Sequence, residues 1–432
     1  MQFHTLNSII ERAFIFCWQR IFHSVPSPQA QTQVKRFVTF GAGMMGARVL
    51  STASQVIMGR KLGPEVYGQI TMILLIASYF AIPLVNGWGL VFTKIAARET
   101  DRIKRKQALK SFLIVVFCCS IVTGTVLLII QKPLADILDI DNRMMQFSLF
   151  MTACYTWWIL TKQIVQGYQD WHVYIMIEIT WALLVLTGIV FFTICSEGSL
   201  VTVSGIFCVA YFLAGLFCLK QIWHAFFVQA TLEYIRDILS HGWFLILNAL
   251  VGVATFSIDR VLIHRSLGAE EVGIYQAHFL STYGIISAFM TILLTYIFPI
   301  FCRNDNMQDV LDKINKIQYP VTVLTSITIG GLVLWMYSYP ASLCLFSSLC
   351  LFNAVQFHVQ LKTWYLASRG ASESKITFHS QLIFLSVNVL ILVILVRYIG
   401  IDAGGVSLLL ASCASLAYLV KSEYRLYRER IV

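Results

Sequence analysis

Charge is what this sequence has least of. Asp, Glu, Lys and Arg make up 12% of its 432 residues, about half the share of a soluble domain. So few charges cannot coat a water-facing surface of this size. The eleven cysteines include no C-x-x-C and no Cys/His pair at ligand spacing, so neither a metal site nor a disulfide is expected. They read as small apolar filler. No G-x-x-x-x-G-K-[ST] and no G-x-S-x-G occurs, and no nucleophile stands beside a base. No inter-span loop is long enough to fold as a domain, which excludes an ATP-binding cassette or a soluble catalytic domain within these residues. No cleavable signal peptide is expected from residues 3–22, whose apolar positions are interspersed with Glu11, Arg12 and Arg20.

What is present is apolar: 58% of the chain, with a mean hydropathy of +0.73. The apolar residues come in blocks of roughly 20, the length that crosses a hydrocarbon core of ~30 Å. A transmembrane barrel would alternate over segments of ~10 residues instead. The blocks predict an all-α polytopic membrane protein of about twelve spans: 37–58, 68–91, 110–130, 145–165, 173–194, 199–219, 240–263, 274–300, 318–338, 340–361, 376–396 and 401–420. The ninth and tenth nearly fuse around Pro340. Domain boundaries follow: a cytoplasmic segment 1–36, one half 37–230, a second half 231–421 and a tail 422–432. Residues 3–22 place Phe3, Leu6, Ile10, Phe14, Cys17 and Ile21 at helical spacing, which predicts an amphipathic helix on the membrane surface.

The net charge of +10 is distributed by side. With Lys110 and Lys162 counted at the cytoplasmic ends of their spans, 24 of the 32 Lys and Arg fall on the side of the termini, six on the opposite side and two, Arg48 and Arg260, inside spans. By the positive-inside rule both termini are cytoplasmic. The cluster Lys94, Arg98, Arg102, Lys104, Arg105, Lys106 and Lys110 reads as a topology anchor on anionic lipid, not as a nucleic-acid patch.

The halves repeat. Val56-Ile-Met-Gly-Arg60-Lys-Leu62-Gly63-Pro-Glu65-Val-Tyr-Gly68 aligns without a gap to Val261-Leu-Ile-His-Arg265-Ser-Leu267-Gly268-Ala-Glu270-Glu-Val-Gly273, at an offset of 205 residues. Val, Arg, Leu, Gly, Glu and Gly are identical. The first glycine is expected to take the left-handed C-cap conformation, and the second to open the next span. Six spans per half give a parallel repeat about an axis along the membrane normal, an arrangement that holds substrate between halves that rock.

The same residues resemble the start of polysaccharide flippases of the MOP superfamily, in the O-antigen and capsule branch. Ser257-Ile-Asp-Arg260 and Leu267 to Tyr275 resemble the start of that family's second half, and Phe298-Pro299 is also similar. The resemblance implies a V-shaped fold of two six-helix lobes in a bacterial inner membrane. It implies export of an undecaprenyl-pyrophosphate-linked oligosaccharide through a cationic cavity, without a cofactor. A polymerase and a chain-length regulator of the same pathway would be partners, besides membrane lipids. The N-terminal extension departs from the family pattern.

Ionisable groups within spans are functional candidates by default. Arg48, with Ser51, Thr52 and Gln55 at i+3, i+4 and i+7, makes one polar stripe. Asn248, Gly252, Thr255 and Asp259, with Arg260 beside them, make a second. A pyrophosphate crossing an apolar zone needs cations, and the planar guanidinium gives it paired donors. Arg48 and Arg260 are therefore expected at the pyrophosphate, although Arg260 could instead pair with Asp259 or snorkel outward. Asp259 and Glu178 are candidate coupling groups, with a cytoplasmic-side Lys the favoured partner for Glu178. His278 and His358 are expected to pack as neutral rings. Trp157, Trp158, Trp171, Trp223 and Trp364 are expected in interfacial belts. Asn353, Gln356, Thr152, Tyr155 and Thr156 are candidate sugar contacts, or else bonds between helices.

Three other functions compete. A cation-coupled drug or metabolite antiporter of the same superfamily would place an acid in a lobe cavity. A lipid II flippase would carry extra spans and several cleft arginines. A membrane-embedded polymerase or acyltransferase would present a larger outer loop than 131–144, whose charges are Lys132, Asp136, Asp139, Asp141 and Arg143.

Overall fold

The computed structural model describes residues 28–195, 199–291, 308–369 and 371–431. These are helical almost throughout, and no strand occurs among them. The N-terminal segment 3–22 and Phe298-Pro299 lie outside the described residues.

Pro28–Ala81 is helical on both sides of Gly63, whose φ of 80° and ψ of 167° are open essentially to glycine alone. It is two helices: α1 (residues 28–62) and α2 (residues 64–98). The second runs through a π-turn at Ile82–Asn86 and ends at Arg98. Pro83 has no N–H to give there, and the ladder widens. Next come α3 (Arg102–Leu138), α4 (Asn142–Gly167), α5 (Trp171–Cys195) and α6 (Leu200–Phe226). The Asp101 carboxylate starts α3 by accepting the Ile103 N–H at 2.8 Å, and left-handed Asp139 ends it. Because α3 continues to Leu138, the outer loop expected over 131–144 shrinks to residues 139–141.

In the second half, α7 (Leu232–Thr255) and α8 (Ile258–Leu267) are separate helices. The span expected over 240–263 is therefore broken, at Phe256 and Ser257. There follow α9 (Ala269–Phe279, continuing through a π-turn at Leu280–Gly284 to 291) and α10 (Gln308–Thr325, continuing to Tyr337). The last three are α11 (Leu343–Arg369), α12 (Ala371–Ile399) and α13 (Asp402–Ile431). Ser338, at φ 60°, helps separate α10 from α11, so the expected near-fusion at Pro340 does not occur.

Among the described residues, nine helical stretches are long and apolar enough to cross a membrane. On α3, Phe117, Val122, Leu128 and Ile129 stand exposed, a face that only hydrocarbon suits. Large side chains such as Tyr67, Phe92, Phe112, Phe207 and Phe352 fill the interior. In the first half α1 and α2 pack on α4 and α5, and those on α6. In the second, α11 and α12 pack on α13.

The halves meet where α2 touches α9 and where α2 and α3 touch α7. The first contact is built by the repeat itself. Gly268 has φ 96° and ψ −180°, nearly the conformation of Gly63. Both are extended turns at positive φ, where a left-handed cap was expected. A Cβ on Gly68 would lie 1.8 Å from the Ala269 carbonyl oxygen, and one on Gly273 would lie 2.0 Å from that of Pro64. Ala269 and Pro64 are themselves matching positions of the repeat, so the contact is reciprocal, as a twofold relation requires. Backbone meets backbone at both points, which only glycine permits. Near it the Tyr339 hydroxyl donates to the Gly59 carbonyl at 2.6 Å, and the Tyr67 and Tyr337 hydroxyls lie 3.1 Å apart. This end of the molecule is closed.

Candidate functional site

Toward the other end lies a cavity of about 530 Å³. Three helices each turn one face to it. Arg48 and Ser51 on α1 are one turn apart. Tyr155, Trp158 and Lys162 on α4 stand at i, i+3 and i+7. Trp171, Tyr174, Glu178 and Trp181 on α5 run i, i+3, i+7 and i+10, the spacing of a single helical stripe. Tyr211 of α6 closes the floor, and Ala288 and Thr291 of the second half complete the wall.

The charges in this cavity are arranged unequally. Lys162 Nζ lies 2.5 Å from Glu178 Oε1 and 3.8 Å from the centre of the Trp158 ring, so the ammonium is paired and also sits on a π-face. Tyr174 adds a second ring at 5.5 Å. Arg48 has no hydrogen-bond or ion-pair partner among the described residues. Its side chain is exposed into the open space, within electrostatic range of Glu178 and Tyr283. Among the described lining residues, one Arg, one Lys and one Glu leave a single uncompensated positive charge. Beside it, Trp158, Trp181 and Tyr211 form a ring cluster with centroids 5.2 to 5.7 Å apart. The indole N–H groups of Trp158 and Trp181 are buried without a partner.

A second cavity, about 270 Å³, lies within the second half. Gln356, Gln360, Gln381, Ser380, Ser415 and Trp364 line it together with Gly252 and Thr255 of α7, and no charged residue among those described does. Thr291 lines both cavities, so they adjoin.

The structure brings Arg48, Ser51, Tyr155 and Glu178 together, with Trp158 and Trp171. It does not bring Asp259 and Arg260 to either cavity. Asp259 is fully buried and accepts the Tyr275 hydroxyl and the Arg260 N–H. Arg260 Nη1 donates to the Phe256 carbonyl at 2.5 Å, an oxygen that the break between α7 and α8 sets free. It also lies 3.4 Å from Asp259 Oδ1. Arg260 Nε donates to Gln276, and Phe279 lies against the guanidinium at 4.2 Å. Gln55 and Asn248 are half-buried and line neither cavity.

The remaining candidates divide in the same way. His278 is bonded through Nδ1 to the Ile274 carbonyl at 2.9 Å, and His358 Nδ1 is bonded with the Tyr319 hydroxyl at 2.8 Å. Asn353 Nδ2 donates to Ser326 across helices at 3.0 Å. The Thr152 hydroxyl donates back to the Ser148 carbonyl, and Thr156 is buried. Trp157 donates to the Phe212 carbonyl, and Trp223 is exposed. Trp158, Trp171 and Trp364, expected in interfacial belts, line cavities instead. Sequence reasoning missed Trp181, Tyr174 and Tyr211. The i, i+3, i+7, i+10 stripe on α5 was the signal that could have found the first two. No group of His, Cys, Asp and Glu among the described residues could hold a metal ion.

Residues 43–305 match the family described as Polysaccharide biosynthesis protein. No curated protein matches the chain. Solved structures give the fold. An inward-facing multidrug resistance MATE family transporter of the MOP superfamily is similar at a TM-score of 0.69 and 12% identity, over 89% of this chain and 96% of that one. Lipid II flippase MurJ in an inward closed conformation is similar at 0.68 and 11%, over 90% and 87%. A MOP superfamily transporter from Pyrococcus furiosus is similar at 0.61 and 14%, over 90% and 95%. With more than half of its length inside that match, the chain belongs to the polysaccharide biosynthesis protein family.

Proposed function

We propose that this protein is a flippase carrying an undecaprenyl-pyrophosphate-linked oligosaccharide from the cytoplasmic to the periplasmic leaflet of a bacterial inner membrane. Twelve spans in two halves, 37–230 and 231–421, rock about the repeat axis, with both termini cytoplasmic. Under that orientation the closed Gly68–Gly273 end faces out and the Arg48 cavity opens inward. Two of the similar transporters named above are described in inward-facing and inward closed conformations.

The observation that carries the reading is the unpartnered Arg48 guanidinium in an interior cavity. An isolated charge there is costly unless a counter-anion arrives. A pyrophosphate supplies one, with hydrogen bonds to charged groups worth about 1.5–3 kcal/mol each. Lys162 is a second cation at the same wall, held by Glu178 until substrate competes for it. The lipid tail stays in hydrocarbon, and only the head crosses. Moving an anion out of a negative interior contributes ~2.3 kcal/mol per charge per 100 mV. Glu178 is the candidate group for proton coupling, since its protonation would release Lys162.

The aromatic cage around a carboxylate favours a second reading, an organic-cation antiporter. Lys162 already occupies the cationic seat over Trp158, which weighs against it. Deleting the gene in its native cell separates the two. Lipid-linked glycan trapped on the cytoplasmic leaflet, relieved by wild type and not by Arg48→Ala, supports the flippase. Normal glycan export with loss of cation efflux would replace it with the antiporter.

A further inference from the structure

We infer that the uncharged second-half cavity is a subsite for a neutral sugar, the one joined directly to the pyrophosphate; this rests on the flippase reading above. Two observations carry it. First, Gln356 Oε1 and Gln381 Oε1 are both buried without any hydrogen-bond partner, and both residues line the cavity. Gln356 is only 4% exposed. Buried amide carbonyls are ordinarily satisfied, and two left unsatisfied on residues of one cavity wall call for a donor that comes and goes. The hydroxyls of a sugar, and the N–H of an acetamido sugar, are such donors.

The second observation is the wall itself. The Ser380 and Ser415 hydroxyls bond each other at 2.6 Å and can each turn to a ligand instead. Trp364 gives an aromatic surface beside them, suited to the apolar C–H face of a pyranose. Among the described residues no Asp, Glu, Lys or Arg lines the space, and beside that uncharged wall a uronate or an amino sugar would be buried unpaired, which is strongly disfavoured. At about 270 Å³ the cavity lies just below the usual ~300 Å³ floor for small-molecule sites, room for one sugar and not a whole repeat unit. Thr291, shared by both walls, puts this sugar next to the group held by Arg48. That neighbour in a lipid-linked glycan is the pyrophosphate.

The test measures binding to the full-length chain in lipid nanodiscs with two probes: undecaprenyl pyrophosphate, and the polyprenyl-pyrophosphate glycan extracted from the native cell. The expected result is wild type preferring the glycan-lipid about tenfold or more, the scale of one good hydrogen bond. The double substitution Gln356→Leu, Gln381→Leu should lose most of that preference while holding undecaprenyl pyrophosphate as wild type does. If the double variant fails to bind undecaprenyl pyrophosphate, the milder Gln381→Met is read by the same criterion. A preference kept by the variants overturns the subsite, as does a wild type that binds both probes alike; the flippase reading survives either. A wild type that binds neither probe overturns the flippase reading itself.

Discussion

The two arginine-bearing helices that match under the repeat, α1 and the broken pair α7–α8, are alike at their ends and unlike in their middles. At the ends, Gly63 and Gly268 adopt the same positive-φ turn, and Gly68 and Gly273 make the same backbone contact in reciprocal sense. In the middles, α1 passes Arg48 without a break and leaves its guanidinium open to a cavity. The second helix breaks at Phe256, and its Arg260 is bound by the freed carbonyl, by Asp259 and by Gln276. The repeat is kept where its two copies touch each other. It is lost around the two arginines, one open to a cavity and the other bound by neighbouring groups. A position in the repeat therefore says little about the duty of its side chain.

The strongest way to break this comparison is at the glycine contact. Gly68→Val and Gly273→Val both drive a side chain into backbone, so each should cost more than about 4–5 kcal/mol. Neither variant should accumulate as folded protein on size-exclusion chromatography. If only one of them collapses, the reciprocal contact does not bear equally on both halves. Next in size is Arg260→Ala, which leaves the fully buried Asp259 without its cation and should cost about 3–5 kcal/mol, read as a lowered thermal unfolding midpoint in detergent. Asp259→Leu combined with Arg260→Met removes both charges and should recover most of that loss. A smaller effect belongs to Tyr339→Phe. It removes one hydrogen bond between the halves, the 2.6 Å contact to the Gly59 carbonyl, worth about 0.5–1.5 kcal/mol, and should bias the protein toward opening at that end. Cysteine accessibility of a probe placed beside Tyr67 would report it. The smallest stability effect is Arg48→Ala. No internal bond is lost there, so unfolding should stay within about 0.5 kcal/mol of wild type.

The helices and the repeat were legible because they are written locally. Apolar blocks fix the elements, and Leu-Gly-x-Glu-x-x-Gly fixes the turn. The widening at Pro83 and the break at Phe256–Ser257 were not read. Proline marks the first, but Thr255, Phe256 and Ser257 carry no such mark, and the bonds that hold the second, from Arg260 to the Phe256 carbonyl and from Ser257 to Tyr79, join residues that spacing alone does not pair. Arg48 was found from its isolation in an apolar run. The aromatic cage was missed because Trp158, Trp181 and Tyr211 come from three helices, and spacing reveals a shared face without revealing what it faces. Assigning Trp158 and Trp171 to a lipid interface by default followed from that same gap. The Lys162–Glu178 pair joins two helices too, yet it was half visible, since a lone acid in a span needs a partner.

The central claim is that the unpartnered Arg48 charge receives the pyrophosphate. The direct measurement is leaflet translocation of the native glycan-lipid in proteoliposomes under an imposed membrane potential, with wild type, Arg48→Ala and Arg48→Lys compared at equal folded protein. The account predicts a loss of about a hundredfold or more for Arg48→Ala, equivalent to one bidentate charged contact. Arg48→Lys should recover part of it, because the charge returns without the planar fork. Wild-type translocation by Arg48→Ala would contradict the account.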